Sequence, residues 1–188
     1  MPRTQEQNKQ IKDKRRAKLL SASLRVFASR GYRDTSVDDI TKEAECSHGL
    51  FYHYFDSKKD VFASLLDELV LPSRGVSLLN DSLKIGGYLG LERIASLFDG
   101  SREDSYALIL LIRLGEEGIE VPGVPSPKEV ISKLVKAGQK EGKVIDGNPE
   151  EITDALICVL QRNLEGSLVR KNHQKRISKE VFLNLLSK

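Results

Sequence analysis

The chain has 188 residues, of which 39% are hydrophobic and 30% charged, with a formal net charge of +3. That balance excludes a disordered chain, and the longest apolar run, the seven residues 106–112, is far too short to cross a bilayer. Only Cys46 and Cys158 are present, with no CxxC or Cys/His ligand spacing, so neither a disulfide framework nor a metal site is indicated. Each thiol is expected to be a small buried apolar group.

Charge is unevenly placed. Residues 1–60 carry +4 and residues 61–188 carry −1, and residues 1–30 alone hold 9 basic against 2 acidic side chains. Such an N-terminal excess suits a polyanion partner, through phosphate neutralisation and counterion release. The opening stretch MPRTQEQNKQIKDKRR has no apolar core like that of a secretory signal, which leaves the cytoplasm as the expected location.

Taken in order, residues 1–10 are polar and aperiodic and are expected to be disordered. A first helix is expected over about 11–30, burying Leu19, Ser23, Val26 and Phe27 and ending at Gly31. Residues 35–58, TSVDDITKEAECSHGLFYHYFDSK, then hold two short amphipathic segments joined by a polar turn. Ser36 is placed to cap the first, whose Val37, Ile40 and Ala44 share a face; Ser47 is placed to cap the second. There Phe51 and Phe55 lie four apart and face one way, which leaves His48, Tyr52, His53 and Tyr54 for the rest of the surface. Gly49 permits a close backbone approach. Two such helices are what a helix-turn-helix offers to a DNA major groove.

A fourth helix opens at Ser57-Lys58, carries a stripe of Val61, Phe62, Leu65, Leu66 and Leu69, and stops at Pro72. Helices are expected near 76–84 and 88–98. A helix over 103–118 is hydrophobic around most of its girth, hence buried on several sides. Three prolines keep 120–127 non-helical. Further helices follow at 127–142, 150–168 and 178–187. No strand pattern appears, so the fold is expected to be all-α.

These residues carry a specific resemblance. The Thr-Ser pair at 35–36, the hydrophobic-acidic helix, the Ser47 cap, Gly49 and the aromatic run ending in Phe55 and Ser57-Lys58 resemble the DNA-binding segment of the TetR family of bacterial transcriptional regulators. Upstream, Leu19, Leu20, Ala22, Val26, Phe27, Gly31 and Tyr32 resemble that family's first helix and its stop. Two positions depart from the pattern. Glu45 stands where the family usually has the turn glycine, and Cys46 where it usually has valine. A positive φ at Glu45 would cost about 1 kcal/mol.

The resemblance implies an N-terminal three-helix helix-turn-helix domain over 1–70 and a C-terminal helical bundle over 71–188 that binds a small-molecule effector and forms a homodimer through its last helices. It implies a ligand-responsive repressor on a palindromic double-stranded DNA operator, with Ser36, Ser47, His48, Gly49, Tyr52, His53, Tyr54 and Lys58 as the DNA-binding residues. The alternative is a helical ligand-sensing or protein-interaction module whose DNA binding has degenerated. From the residues themselves, the stripe of Ile152, Ala155, Leu156, Val159, Leu160, Asn163, Leu164 and Ser167, with Val181, Phe182, Leu185 and Leu186, suits a two-fold interface. Arg113, a charge on an apolar helix, requires a partner, either Glu116 or a ligand. With Tyr88 and Tyr106 it forms the expected effector pocket. No nucleophile–base arrangement, phosphate loop or HExxH is present, so no catalytic residue, metal or cofactor is expected. His48 and His53, five apart, lie about 140° apart around a helix and make a poor shared ligand.

Overall fold

The computed structural model describes residues 4–99, 101–168 and 177–188. The described chain is helical: α1 (Gln5–Arg30), α2 (Val37–Glu43), α3 (His48–Tyr54), α4 (Lys58–Leu65), α5 (Arg74–Ile85), α6 (Gly87–Ala95), α7 (Arg102–Glu116), α8 (Pro127–Lys140), α9 (Pro149–Leu168) and α10 (Lys179–Asn184). Among the described residues the only β pairing is an isolated bridge between Val144 and Ser187. No described helix is long and apolar enough to cross a membrane. The chain divides into two compact units, Met1–Glu68 and Leu69–Lys188.

In the first unit α1 begins earlier than the periodicity predicts. Thr4 accepts from the Gln7 amide while the Gln7 side chain accepts from the Thr4 amide, a capping box that extends the helix through 5–10. Leu19, Leu20, Val26 and Phe27 of α1 meet Ile40, Phe51, Phe55, Val61 and Leu65, all below a tenth exposed. Phe62 closes the core edge-on to Phe27 at 5.3 Å and tilted against Tyr32 at 4.4 Å. Beyond Leu65 the expected α-helical stripe is interrupted. The backbone widens into a π turn over Leu66–Val70, and Leu66 and Leu69 are only half-buried.

The turn between α2 and α3 carries the strain expected of it. Cys46 donates to the Thr41 carbonyl (3.0 Å) and Glu45 to that of Lys42 (3.1 Å), which places Glu45 at φ 52°. This is a Schellman closure with glutamate where glycine fits best. Its Cys46 lies half-buried at that turn, and Cys158 is exposed on the outward side of α9, so neither thiol is the buried group expected.

Lys58 is engaged within the chain. Its ammonium donates to the carbonyls of Tyr32 (2.9 Å), Arg33 (3.3 Å) and Thr35 (2.8 Å), and sits 4.6 Å from the centre of the Tyr32 ring. These contacts hold the α1–α2 connection against the start of α4.

In the second unit α7 buries eight side chains, among them every residue from Ala107 to Ile112. Helices α5, α6 and α8 pack closely around Gly90, where a Cβ would lie 2.4 Å from Leu134 and 2.7 Å from the Ser82 carbonyl. The Glu141 carboxylate accepts from the Tyr88 amide at the start of α6 (3.2 Å). Arg113 meets Glu165 on α9 at 3.6 Å. The stripe expected at a dimer interface is divided. Leu156, Leu160, Asn163, Leu164, Phe182 and Leu186 are buried within the unit, Ala155, Val181 and Leu185 face outward, and Ile152 and Val159 are half-buried. The Ser167 side chain lies outside the described residues.

Three outcomes follow for the first unit, each read by amide hydrogen exchange or denaturant midpoint of the full chain. Glu45→Gly is expected to stabilise it by about 1 kcal/mol, by removing the left-handed penalty. Lys58→Met is expected to cost about 2 kcal/mol, because three carbonyls lose a charged donor. The third concerns acid. Arg16 donates to both Glu68 oxygens at 2.6 Å and holds that carboxyl below its ordinary range, and the Ser36 hydroxyl and amide do the same for Asp39. A lowered folded pKa gives stabilisation that is complete above the unfolded carboxylate values of about 4 and is lost as pH falls through the folded ones. Glu68→Gln is therefore expected to flatten the stability profile between about pH 5 and 2, with little change in its slope above pH 6.

Candidate nucleic-acid interface

Helix α3 is oriented by what it buries. The Ser47 hydroxyl accepts from the Leu50 amide (3.2 Å) and starts the helix, and Phe51 (0% exposed) and Phe55 (2%) anchor it in the core. At 100° per residue this leaves His48, Gly49, Tyr52 and His53 on the outside, all exposed, with Tyr54 and Leu50 half-buried. Tyr52 is 54% exposed and stands edge-on to Phe51 at 5.3 Å, so a buried ring steadies a phenol that points outward. His48 Nε2 lies 3.5 Å from Asp38 of α2, whose carboxylate also pairs with Lys42.

Gly49 has almost nothing beside it. A Cβ there would meet only the Ser47 hydroxyl, at 3.9 Å. Glycine inside a helix costs about 0.5–1 kcal/mol relative to alanine, and no contact within the chain requires it here. Open space over an intrinsically costly residue fits close approach by something outside the chain.

The expected residues thus fall into two groups. His48, Gly49, Tyr52 and His53 share an open face that begins at the Ser47 cap, with Tyr54 at its edge. Ser36 and Lys58 are engaged within the chain: the Ser36 hydroxyl donates to Asp39 at 2.6 Å, and Lys58 clamps the α1–α2 connection. The role of the Tyr32 ring beneath that ammonium was not anticipated. Its signal in the sequence is a lysine in the first turn of a helix, where a cation is unfavourable unless something outside the helix holds it.

Helix α1 carries many basic side chains of its own. Arg16, Lys18, Arg25 and Arg30 pair with Glu68, Glu45, Glu43 and Asp39 respectively. Lys9, Lys12, Lys14 and Arg15 are exposed and make no ion pair among the described residues. The residues expected to form an effector pocket stand on two helices. Tyr88 on α6 bonds the Ser187 hydroxyl at 3.1 Å, while Tyr106 and Arg113 stand two turns apart on α7. A cavity of about 600 Å³ in this unit lies beside the α7–α8 connection, and none of the three lines it.

Comparison with known proteins agrees with this geometry. Residues 19–65 match the family model described as bacterial regulatory proteins, tetR family. Over 49 residues the chain is 43% identical to the uncharacterized HTH-type transcriptional regulator YuxN of Bacillus subtilis, covering 26% of this chain and 17% of that protein. Over 58 residues it is 40% identical to the HTH-type transcriptional regulator EthR of Mycolicibacterium smegmatis, covering 31% and 27%. These alignments span about a quarter or less of either relative. The whole fold is similar to a crystal structure of a HlyIIR mutant protein, with a TM-score of 0.60 at 16% identity over 94% of this chain and 98% of that one. The matched segment contains α2, α3 and α4 and the buried half of α1, and the chain thus carries the helix-turn-helix domain of the tetR family of bacterial regulatory proteins.

Proposed function

We propose that the protein is a ligand-responsive transcriptional repressor that binds a palindromic DNA operator as a dimer. The open face of α3 carries this reading. It presents an outward phenol, two imidazoles and an unfilled glycine on a helix held in place by two buried phenylalanines. Tyr52, His48 and His53 supply hydrogen-bonding and apolar edges to bases and phosphates, and Gly49 lets a sugar-phosphate strand come close. The unpaired Lys9, Lys12, Lys14 and Arg15 add attraction that does not depend on sequence.

Dimerisation draws on what remains outward at the end of the chain, Ala155 on α9 and Val181 and Leu185 on α10, the last two 48% and 52% exposed. A two-fold pair would set its recognition helices about 34–36 Å apart, one turn of B-DNA. An effector bound in the second unit would act only through unequal affinity for the DNA-competent and incompetent conformers. A module that has lost DNA binding is the alternative. The closed turn at Glu45 and the empty flank of Gly49 favour the regulator.

Selection of the purified protein against a random duplex library at physiological salt is expected to enrich an inverted repeat. Enrichment of no sequence, with salt-sensitive binding only, would favour the alternative. On the selected duplex Tyr52→Ala should weaken binding by roughly tenfold or more, equivalent to about 1–3 kcal/mol. Gly49→Ala should stabilise the fold by about 0.5–1 kcal/mol and yet weaken DNA binding. Undiminished binding by both variants would remove the groove-docking arrangement.

A further inference from the structure

The cavity of about 600 Å³ beside the α7–α8 connection has the size of a small-molecule site. Its apolar floor includes Leu111 and Leu114 of α7, and Val121 and the Pro-rich connection form the opposing wall. Gly115 keeps it open, since a Cβ there would touch only the Ser126 hydroxyl, at 3.5 Å. The wall is built to hold its shape. Gly118 and Gly123 turn the chain at φ 69° and 77°, the Ile119 amide donates to the Leu114 carbonyl at 2.8 Å, and Pro122, Pro125 and Pro127 fix their own φ. A preformed wall spares a ligand the entropy of ordering it.

The charges at this cavity have one sign. Glu120 and Glu129 line it, both exposed and neither in an ion pair, and no Lys, Arg or His is among the lining residues. A smaller cleft of about 290 Å³ shares Gly115 and Ser126 with it. There the single lining cation, Lys128, is held by Asp154 at 2.7 Å, while Glu116 adds a second carboxylate. Among the described lining residues an anion meets no cation that is not already paired. A molecule with an apolar body and a positive charge satisfies both the floor and the rim.

We propose that this cavity binds an amphipathic organic cation, its apolar part against Leu111, Leu114 and Val121 and its charge between Glu120 and Glu129. As the effector class, this rests on the ligand-responsive reading above; as a binding site, it stands on the cavity itself. Two carboxylates at an exposed rim contribute a factor of roughly three each, weakening as salt rises.

The test uses the full chain and three fluorescent probes: rhodamine 6G as a cation, Nile red as a neutral dye and 8-anilinonaphthalene-1-sulfonate as an anion. Rhodamine 6G is expected to bind the wild type more tightly than the anion. Glu120→Gln/Glu129→Gln should weaken rhodamine 6G roughly tenfold and leave Nile red unchanged, because the substitutions remove charge without removing volume. Gly115→Leu, which fills the floor with a good helix former, should weaken both dyes. The anion binding as tightly as rhodamine 6G, or rhodamine 6G binding both variants as it binds the wild type, would overturn the assignment. Release of the selected operator duplex by rhodamine 6G is read separately. Release from the wild type but not from the double glutamine variant supports the cation as the effector class. Dye binding that passes every variant test without release overturns that class and leaves the cavity's charge preference standing. Failure to enrich any operator tells against the regulator reading alone, since the dye titrations need no DNA.

Discussion

Burial of Phe51 and Phe55 is the constraint on which the N-terminal unit depends. Both rings are almost wholly withdrawn from water; Phe51 lies on a seven-residue helix and Phe55, four residues on, is its C-cap. A helix that short has little stability of its own. Its rotation about its axis is therefore set by the core, and the identity of the outward residues follows from that rotation. Turning α3 by one residue would expose an aromatic ring, at a cost of about 1.5–3 kcal/mol, and would change every residue presented. The surrounding contacts serve the same end: Phe62 and Tyr32 pack against Phe27, and the ammonium of Lys58 ties the α1–α2 connection in place.

Much of this unit was legible in the sequence because its signals are local. Serine at 36 and 47 caps helices through hydrogen bonds spanning three residues, and phenylalanines four apart declare a face. What the sequence leaves out either has no apolar signal or depends on atoms distant in sequence. The start of α1 was missed because its cap is a Thr–Gln pair in a polar stretch without apolar periodicity. The contacts of Lys58 are not legible locally, because its three carbonyl partners lie 23 to 26 residues upstream. Its local context gives only a lysine at a helix start, a pattern equally suited to a phosphate.

The second unit shows the same limit more strongly. Helices α7 and α8 announce themselves by apolar content, but their partners do not. Arg113 finds Glu165, 52 positions on, and Tyr88 finds Ser187 at the chain end. An apolar stripe on α9 likewise does not reveal whether it serves its own core or a neighbour. Here Leu156, Leu160 and Leu164 serve the core, and that leaves the smaller Ala155 outward. Cavities are harder still, because they arise where helices diverge, and the one beside α7 is framed by a connection rather than by a periodic element.

Glu45 has a consequence beyond its energetic cost. Its φ of 52° is maintained by the two hydrogen bonds that close the turn before α3. Strain of about 1 kcal/mol at that point makes an opened turn roughly fivefold more populated than glycine would allow. The joint leading into α3 is therefore mechanically compliant. A helix carried on such a joint can shift its orientation slightly, exchanging a little precision of presentation for a wider range of surfaces that it can fit.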